Sequence, residues 1–598
     1  MVGQYQLVGG DVTFFVCVLL VGTALSFDHH DLLTRGFKHT RELDGRRRLE
    51  VASGRLSSIA PAPSSLEIIV SPTTPTATIA NLTVTWSGAP DPRPTDWIAI
   101  YCTYASISDW QEWDYVNAAE GWSSGAGRLS FVQARTDCAL EFRMYRDPSP
   151  YTFVGKSNSV SWPGAGTGQP YQQRIAYGYH PQTMMTVAWT SMNETKDALV
   201  MVGLASGNYN LGNFTPAPAT TYYAADSCAE PATKSGPGAW RFPGYFYFAN
   251  VSGLTAGTRY YAKAVVNGHA GAEMTFVTGK PVGPDVDTRF VMYGDMSISG
   301  APGAVETSFR ITDRITQQND IDFLLHVGDL AYGLGDVAVW DTWMGYIEPV
   351  SGAIPYMVSI GNHEYCYAGT SSNDPSGVDH AWNPVWRNCE TDSQGECGVG
   401  TNKRFVMPNN GNQVFWYSFS VGNVHIAMLS SEHDMSVGSP MGDWLIRDLD
   451  AVDRRRTPWV LVAIHRPLVE TEAYAGDYLV AQNYLKIMNP YMLASKVDVV
   501  LAGHYHAFQR SCYVGLNYSC VEGPNGGIVH YTSGAAGATL DDVGLYGDPV
   551  IEKSILGTFG YSVLHAPNAS ALRLQFFANK DNSLLDDAWL YKQAHPLV

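Results

Sequence analysis

Two β-sandwiches followed by an α/β domain are predicted for this 598-residue chain. Three observations predict it. Short alternating apolar and polar runs separated by turn residues fill the stretch from 64 to about 281. The pattern then changes, after Gly279-Lys-Pro-Val-Gly-Pro284, to apolar strands that alternate with segments of helical period. Within that last stretch, five apolar strands each end in residues able to hold a metal.

From the start, Val12 to Ser26 is an apolar run shorter than the roughly 20 residues a spanning helix needs. Ala24-Leu25-Ser26 places small residues at a cleavage site, so 1–26 is read as a secretory signal peptide. No Lys or Arg precedes the run and Asp11 adjoins it, which leaves a retained anchor as the alternative. No stable membrane span is expected after signal removal. Residues 27–63 are charged and then rich in Ala, Ser and Pro, and read as a propeptide or linker carrying Arg46-Arg47-Arg48. The net charge of −18 and the absence of a long basic stripe exclude a nucleic-acid footprint.

Once Cys17 leaves with the signal, eight cysteines remain, an even number that favours disulfides in an exported chain. Cys102 with Cys138 and Cys512 with Cys520 are the expected pairs, because each brackets a local hairpin-like segment. No C-x-x-C pair supports a zinc alternative. Sequons at Asn81, Asn193, Asn213, Asn250, Asn517 and Asn568 suit N-linked glycans on an exported surface. Together these place the protein outside the cell, or in a vacuole or lysosome reached by the secretory route.

The first sandwich spans 64–165, with LEIIV and NLTVTW as strands; the second spans 166–283, with MMTVAWTS, ALVMVG and TRYYAKAVV. Residues 284–598 form the α/β region, with helices expected at Val305 to Asn319 and Gly442 to Val452. RFVMYGDM ends in Asp295, and DFLLHVGDLAYG supplies Asp329 and Tyr332. PYMVSIGNHE supplies Asn362 and His363, PWVLVAIHRP supplies His465, and VDVVLAGHYH supplies His504 and His506. In open α/β sheets, ligands gather outside the carboxyl ends of strands, so these residues converge. The glycines before Asp295, Asp329, Asn362 and His504 are expected to let the backbone turn sharply. His504 and His506, one residue apart, suit one metal, two metals or none.

GDM, GDLAY, GNHE, a histidine after the fourth strand and GHYH resemble, as a set, the purple acid phosphatases among the calcineurin-like metallophosphoesterases. GECGV at 395–399, FWYS at 415–418, SEHD at 431–434 and the WSG and DWIAIY segments resemble the large plant-type members. The resemblance implies a fibronectin III-like second sandwich and an αββα sandwich for the catalytic region. It implies ferric iron held by Asp295, Asp329, Tyr332 and His506. A divalent ion, zinc, manganese or ferrous iron, would be held by Asp329, Asn362, His465 and His504, with Asp329 as bridge. Carboxylate and phenolate oxygens suit hard iron, and a histidine-rich site with an amide oxygen suits the divalent ion.

The implied reaction is hydrolysis of small phosphomonoesters by a metal-bound hydroxide, with His363 as substrate contact and proton donor or as a supporting residue. Two other readings stand beside it: a phosphodiesterase or nucleotide pyrophosphatase on the same metals, and a catalytically dead surface-binding protein. Cys366 to Cys397 is read as a disulfide-tied wall over the site or as a structural loop. One departure stands out. Smaller members carry two adjacent histidines about nine residues after the fourth-strand histidine, and His465-Arg-Pro-Leu-Val-Glu-Thr-Glu472-Ala-Tyr474-Ala475 has none. The sequence leaves the natural substrate and oligomeric state open.

Overall fold

The computed structural model describes residues 66–592 apart from short breaks at 107–109, 148–150, 237–238, 299–302, 368, 370, 379–383, 388, 390, 473–474, 525 and 542–546. The signal, propeptide and triple-arginine readings therefore lie outside the described residues, as does Tyr474. Among the described residues no helix is long and apolar enough to cross a membrane.

The first sandwich pairs a three-stranded sheet (Glu67–Ser71, Ile79–Ser87, Gly127–Ala134) with a four-stranded one (Trp110–Tyr115, Trp97–Cys102, Leu140–Arg146, Thr152–Lys156). Alternation explains its core. Leu82, Val84 and Trp86 on one strand face Ile98, Ile100, Leu140 and Phe142 across the gap, while the intervening residues reach outward. Cys102 and Cys138 are bonded, S–S 2.07 Å, as their spacing suggested.

In the second sandwich, Tyr245–Ser252, Met184–Ser191 and Tyr171–Tyr177 form one sheet. Gly212–Phe214, Ala198–Gly203, Arg259–Val266 and His269–Val277 form the other. Its buried face merges with the core of the α/β region.

The α/β region contains two sheets. Strands β1 (Thr288–Tyr293), β2 (Phe323–Val327) and β3 (Tyr356–Ser359) are parallel. The antiparallel strands β11 (Gly560–Asn568), β12 (Ala571–Ala578) and β13 (Leu584–Tyr591) extend this sheet beyond β1, giving the order β3-β2-β1-β11-β12-β13. The other sheet is built from β4 (Trp416–Val421), β5 (Val424–Leu429), β6 (Trp459–Ile464), β7 (Val499–Ala502), β8 (Phe508–Val514), β9 (Ile528–Ser533) and β10 (Ile551–Ile555), ordered β4-β5-β6-β7-β9-β8-β10. Strands β5, β6, β7 and β9 are parallel. The crossover helices are α1 (Ala304–Gln318) and α2 (Val337–Ser351) for the first sheet. A one-turn helix α3 (Asn362–Tyr365) and the short α4 (Val399–Arg404) follow β3, and α5 (Pro440–Asp450) and α6 (Ala475–Ala494) serve the second sheet.

Helix α1 buries Thr307, Ile311 and Ile315, one face at a spacing of four, and ends where Asn319 turns left-handed at φ 48°. Helix α5 starts two residues before the expected Gly442. Ser439 Oγ accepts the Gly442 N–H at 3.0 Å and Pro440 occupies the first turn, a cap that periodicity does not register.

Both sandwiches touch the α/β region through α2. Tyr346 donates its hydroxyl to Val132 O at 2.6 Å, and a side chain at Gly345 would meet Ala134 Cβ at 2.3 Å. From the second sandwich, Gln173 N donates to Glu348 Oε1 at 3.1 Å.

The segment from Cys366 to Cys397 is tied by disulfides, but not end to end. Cys366 pairs with Cys389, and Cys397 with Cys228 of the second sandwich. The reason is spatial: the 394–397 turn lies on the second sandwich, where Cys228 N donates to Gly395 O at 2.9 Å. Cys512 and Cys520 are bonded, closing a hairpin-sized loop.

Candidate metal centre

Parallel strands put their carboxyl ends on the same edge, and the polar residues named from the sequence follow those ends. Asp295 lies two residues past β1, Asp329 and Tyr332 follow β2, Asn362 and His363 open α3 after β3, His465 directly follows β6, and His504 and His506 follow β7. The two sheets meet at this edge. A Cβ on Gly294 would come within 3.1 Å of Gly503 Cα, and Gly294 N donates to Ser533 O at 2.9 Å.

The expected role of the four glycines needs correction at three of them. Only Gly328 has a left-handed φ, 73°. The sharp turns are instead made by four candidate ligands themselves: Asp295 (φ 63°), Asp329 (50°), Tyr332 (53°) and His504 (66°). A left-handed φ is uncommon for residues with a Cβ and is kept where the surroundings over-determine it. Glycine at 361 and 503 serves close approach: a Cβ there would sit 2.2 Å from Asp329 Oδ1 and 2.6 Å from Asp295 Oδ2. At 328, 361 and 503 the glycine therefore leaves the space that a neighbouring ligand, His465, Asp329 or Asp295, occupies.

The side chains fall into two groups. In one, Tyr332 Oη is 3.2 Å from Asp295 Oδ1 and 2.9 Å from His506 Nε2, with His506 Nε2 3.4 Å from Asp295 Oδ1. In the other, Asn362 Oδ1 is 2.9 Å from His465 Nε2 and 3.0 Å from His504 Nδ1, and Asp329 Oδ1 is 3.3 Å from His465 Nε2. Asp329 adjoins both groups: its backbone oxygen accepts from Met296 N, next to Asp295, at 3.2 Å, and its charge helps raise the Tyr332 phenol. His504 joins the groups through its backbone, N to Asp295 Oδ2 at 2.7 Å.

Two ring orientations are set from behind. His465 Nδ1 faces Val327 O at 2.9 Å and His506 Nδ1 faces Thr539 O at 2.5 Å. A carbonyl only accepts, so each Nδ1 carries the proton and each Nε2 presents its lone pair to the site. The amide of Asn362 is oriented too, donating Nδ2–H to Asp392 Oδ2 at 2.9 Å and turning Oδ1 inward. Lone pairs of the Asn362 and Asp329 oxygens and of His465 Nε2 thus meet at 2.9–3.3 Å, an arrangement only a proton or a cation relieves.

Without a cation the protons take that place. Burial alone would lower His465, but Asp329 and Asp295 outweigh it and raise it to about 10; His506 is likewise carried against burial to about 9 by Asp295. Burial would raise Asp329, but the neighbouring His465 and His363 hold it far below the carboxylate range. Burial, then Asp329 and Asp295, push the Tyr332 phenol well above its ordinary value. His504 is lowered by burial and by Arg466. A site that concentrates three acidic groups and three imidazoles, two of them anchored with inward lone pairs, fits a pair of cations, whose binding releases those protons. Asp295, Tyr332 and His506 match a hard ion, and Asn362, His465 and His504 a divalent one, with Asp329 adjoining both.

Residues that sequence reasoning passed over complete the cage. Glu364 accepts the N–H groups of Asp329 at 2.8 Å, Leu330 at 2.8 Å and Gly361 at 3.0 Å, stitching the β2 and β3 turns together. Arg466, fully buried after His465, donates to Glu432 Oε1 and Asp477 Oδ1 at 3.0 Å each and lies 3.1 Å from His504 Nε2. Burial would raise Glu432, but Arg466 and Arg387 hold it at about 2. The signals were present as a charged residue inside GNHE, HRP and SEHD, each directly after an apolar strand. Asp392 had none, because its loop reaches Asn362 through the Cys366–Cys389 bond and the Ser393 N–H to Cys366 O hydrogen bond, which no local pattern records. His363 lies against Tyr332, ring centroids 4.5 Å apart and planes tilted by 37°, with Nδ1 3.1 Å from Asp392 O and Nε2 3.8 Å from Asp329 Oδ2.

Two sheets whose carboxyl edges deliver carboxylates, histidines and an amide to one paired site define a calcineurin-like phosphoesterase, and the model of that family matches residues 288–508. The purple acid phosphatase N-terminal domain matches 170–278, and the iron/zinc purple acid phosphatase-like C-terminal segment matches 527–587. The chain belongs to the purple acid phosphatase family. Among its relatives, Arabidopsis thaliana "Probable inactive purple acid phosphatase 9" is 28% identical over 574 residues, covering 88% of this chain and 85% of that one. A Hordeum vulgare "Nucleotide pyrophosphatase/phosphodiesterase" is 26% identical over 330 residues, 51% of this chain and 83% of that one. The purple acid phosphatase PPD1 from yellow lupin (Lupinus luteus) seeds shares the fold, with a TM-score of 0.75 at 24% identity over 89% of this chain and 97% of that one.

Proposed function

We propose that the chain is a secreted acid phosphatase that hydrolyses small phosphomonoesters at a paired site for ferric iron and a divalent ion. The observation that carries this reading is the convergence of Asp295, Asp329, Tyr332, Asn362, His465, His504 and His506 in two clusters, with the His465 and His506 rings anchored from behind. When bound, the ions supply positive charge for the phosphate and acidify water.

The protein's own groups do the rest. Asp392 and the Val327 and Thr539 carbonyls fix three ligands before any substrate arrives, which spares reorganisation during reaction. His363 holds a proton at Nδ1 against Asp392 O, which leaves Nε2 as the atom to contact the phosphate or serve the leaving oxygen. The net charge of −18 steers anions poorly, so capture relies on the site itself.

Export is supported by the N-terminal apolar run, by four disulfides, and by exposure of all six sequon asparagines. Several relatives are named inactive, and the complete ligand set here supports activity in this chain. The phosphodiesterase or nucleotide pyrophosphatase reading is favoured by the name of the barley relative and by the absent histidine pair after His465. The test is hydrolysis of p-nitrophenyl phosphate, bis-p-nitrophenyl phosphate and ATP by metal-loaded protein at pH 4 to 7. Monoester turnover in acid supports the first reading, and diester or anhydride turnover alone supports the second. No turnover of any leaves a surface-binding protein.

A further inference from the structure

A cleft of about 310 Å³ opens where the first sandwich, the second sandwich and helix α2 meet, far in sequence from the metal ligands. Its size is at the lower end for small-molecule sites, about 300 to 1,000 Å³. Three of the polar side chains lining it are weakly or incompletely bonded, although Gln111 Oε1 accepts from Gln133 Nε2 at 3.5 Å. Gln111 donates its amide to the sulfur of Cys102 at 3.3 Å, and Tyr171 donates its hydroxyl to the sulfur of Met192 at 3.5 Å. Thioether and disulfide sulfurs are weak acceptors. Gln172 is 2% exposed and its Oε1 has no hydrogen-bond partner, although its Nε2 donates to Asp341 O at 3.2 Å.

Such groups cost stability unless something else bonds them. The backbone of Gln172 is itself held at φ 51°, an uncommon conformation for a residue with a Cβ. Charge around the cleft is balanced, Arg135 and Arg241 against Asp137 and Asp341, and Arg241 already pairs with Asp341 at 3.1 Å. A balanced wall selects neither anion nor cation. Tyr104, 76% exposed, and Phe242 add aromatic surface at the rim. Amides that both donate and accept, a hydroxyl, aromatic surface and no net charge match a neutral molecule rich in hydroxyls.

We propose that this cleft binds a short neutral saccharide segment, with Gln111, Tyr171 and Gln172 as its hydrogen-bonding residues. The region belongs to none of the matched family segments on its first-sandwich side, which ends before residue 170. The sugar has two sources: a free or wall-bound glycan, or the chain's own carbohydrate on Asn193, the residue after the lining Met192.

The experiment is saturation-transfer NMR and calorimetry on the full chain, before and after enzymatic removal of N-glycans, with cellobiose, xylobiose and glucuronate as probes at up to about 10 mM, where weak sites are filled. Binding of the neutral disaccharides before removal supports an external glycan, and binding only after removal supports occupation by the chain's own sugar. Gln111→Ala, Tyr171→Phe and Gln172→Leu are each expected to weaken binding about tenfold, one hydrogen bond's worth. Monoester hydrolysis and the melting temperature report intact folding, and the half-buried Gln111→Ala disturbs packing least. No binding in either state, glucuronate bound as tightly as cellobiose, or undiminished affinity in all three variants overturns the proposal.

Discussion

Asn362 Oδ1 stands 2.9 Å from His465 Nε2, two lone-pair atoms turned toward each other by partners behind them. Asp392 holds the amide and Val327 O holds the ring, so this junction is built before any ion enters. Groups that orient ligands typically change metal affinity by about 10- to 100-fold. Asp392→Ala is therefore expected to weaken divalent-ion binding by that factor while leaving iron content intact. Competition with a chelator measures it, and unchanged affinity would refute the orienting role.

Asp329 adjoins both clusters, whereas His465 belongs to one. Asp329→Asn should lower both metals, and His465→Ala chiefly the divalent one. Elemental analysis of the purified variants reads the difference. Equal loss of both metals in the two variants would contradict the division.

Tyr332 lies 2.9 Å from His506 Nε2, and its phenol is pushed well above its ordinary pKa by burial and by Asp329 and Asp295. Only a strongly acidic ion ionises such a phenol. Iron-loaded protein should show a visible absorption band, and Tyr332→Phe should bleach it while much of the activity remains. A colourless oxidised, iron-loaded wild type would remove ferric iron from the assignment.

The missing histidine pair bears on the leaving group. A positioned acid is worth about 10² to 10⁴ in rate. Aryl phosphates and phosphoanhydrides, which need that help least, are expected to exceed alkyl monoesters in kcat/KM. Burial, then Asp477 and Glu470, push the buried Glu472 carboxyl of this segment well above its ordinary range, which makes it the second residue to test beside His363. His363→Ala and Glu472→Gln, assayed across leaving groups of graded pKa, separate the two. A wild-type rate independent of leaving-group pKa would end the missing-acid argument.

His530 sits inside β9 with neither ring nitrogen hydrogen-bonded, and burial pushes it down to about 3 from 6.5. Between those values the unfolded chain binds a proton that the folded chain refuses. Stability is therefore fully present above pH 6.5 and falls as pH drops toward 3. The loss from this residue at pH 5 is about 2 kcal/mol. His530→Leu should flatten the pH dependence of urea unfolding by that amount and spare activity. The same pH slope in the variant would contradict it.

The sequence by itself determined which residues can form the site. Apolar strands ending in GDM, GDLAY, GNHE, HRP and GHYH are local signals, because a parallel sheet turns strand ends into one edge. The alternation at 81–86 and 184–191 likewise set both sandwiches, and the nearby cysteines 102 with 138 and 512 with 520 were close enough along the chain to pair by proximity. Tertiary structure decided what depends on distant segments meeting. It chose Cys389 as the partner of Cys366 and Cys228 as that of Cys397, brought Asp392 onto Asn362 and Arg466 onto His504, and placed left-handed turns on Asp295, Asp329, Tyr332 and His504. Periodicity encodes which face of an element is buried; it carries no record of which loop will lie against that face, and the cage around the ligands is made almost entirely of loops.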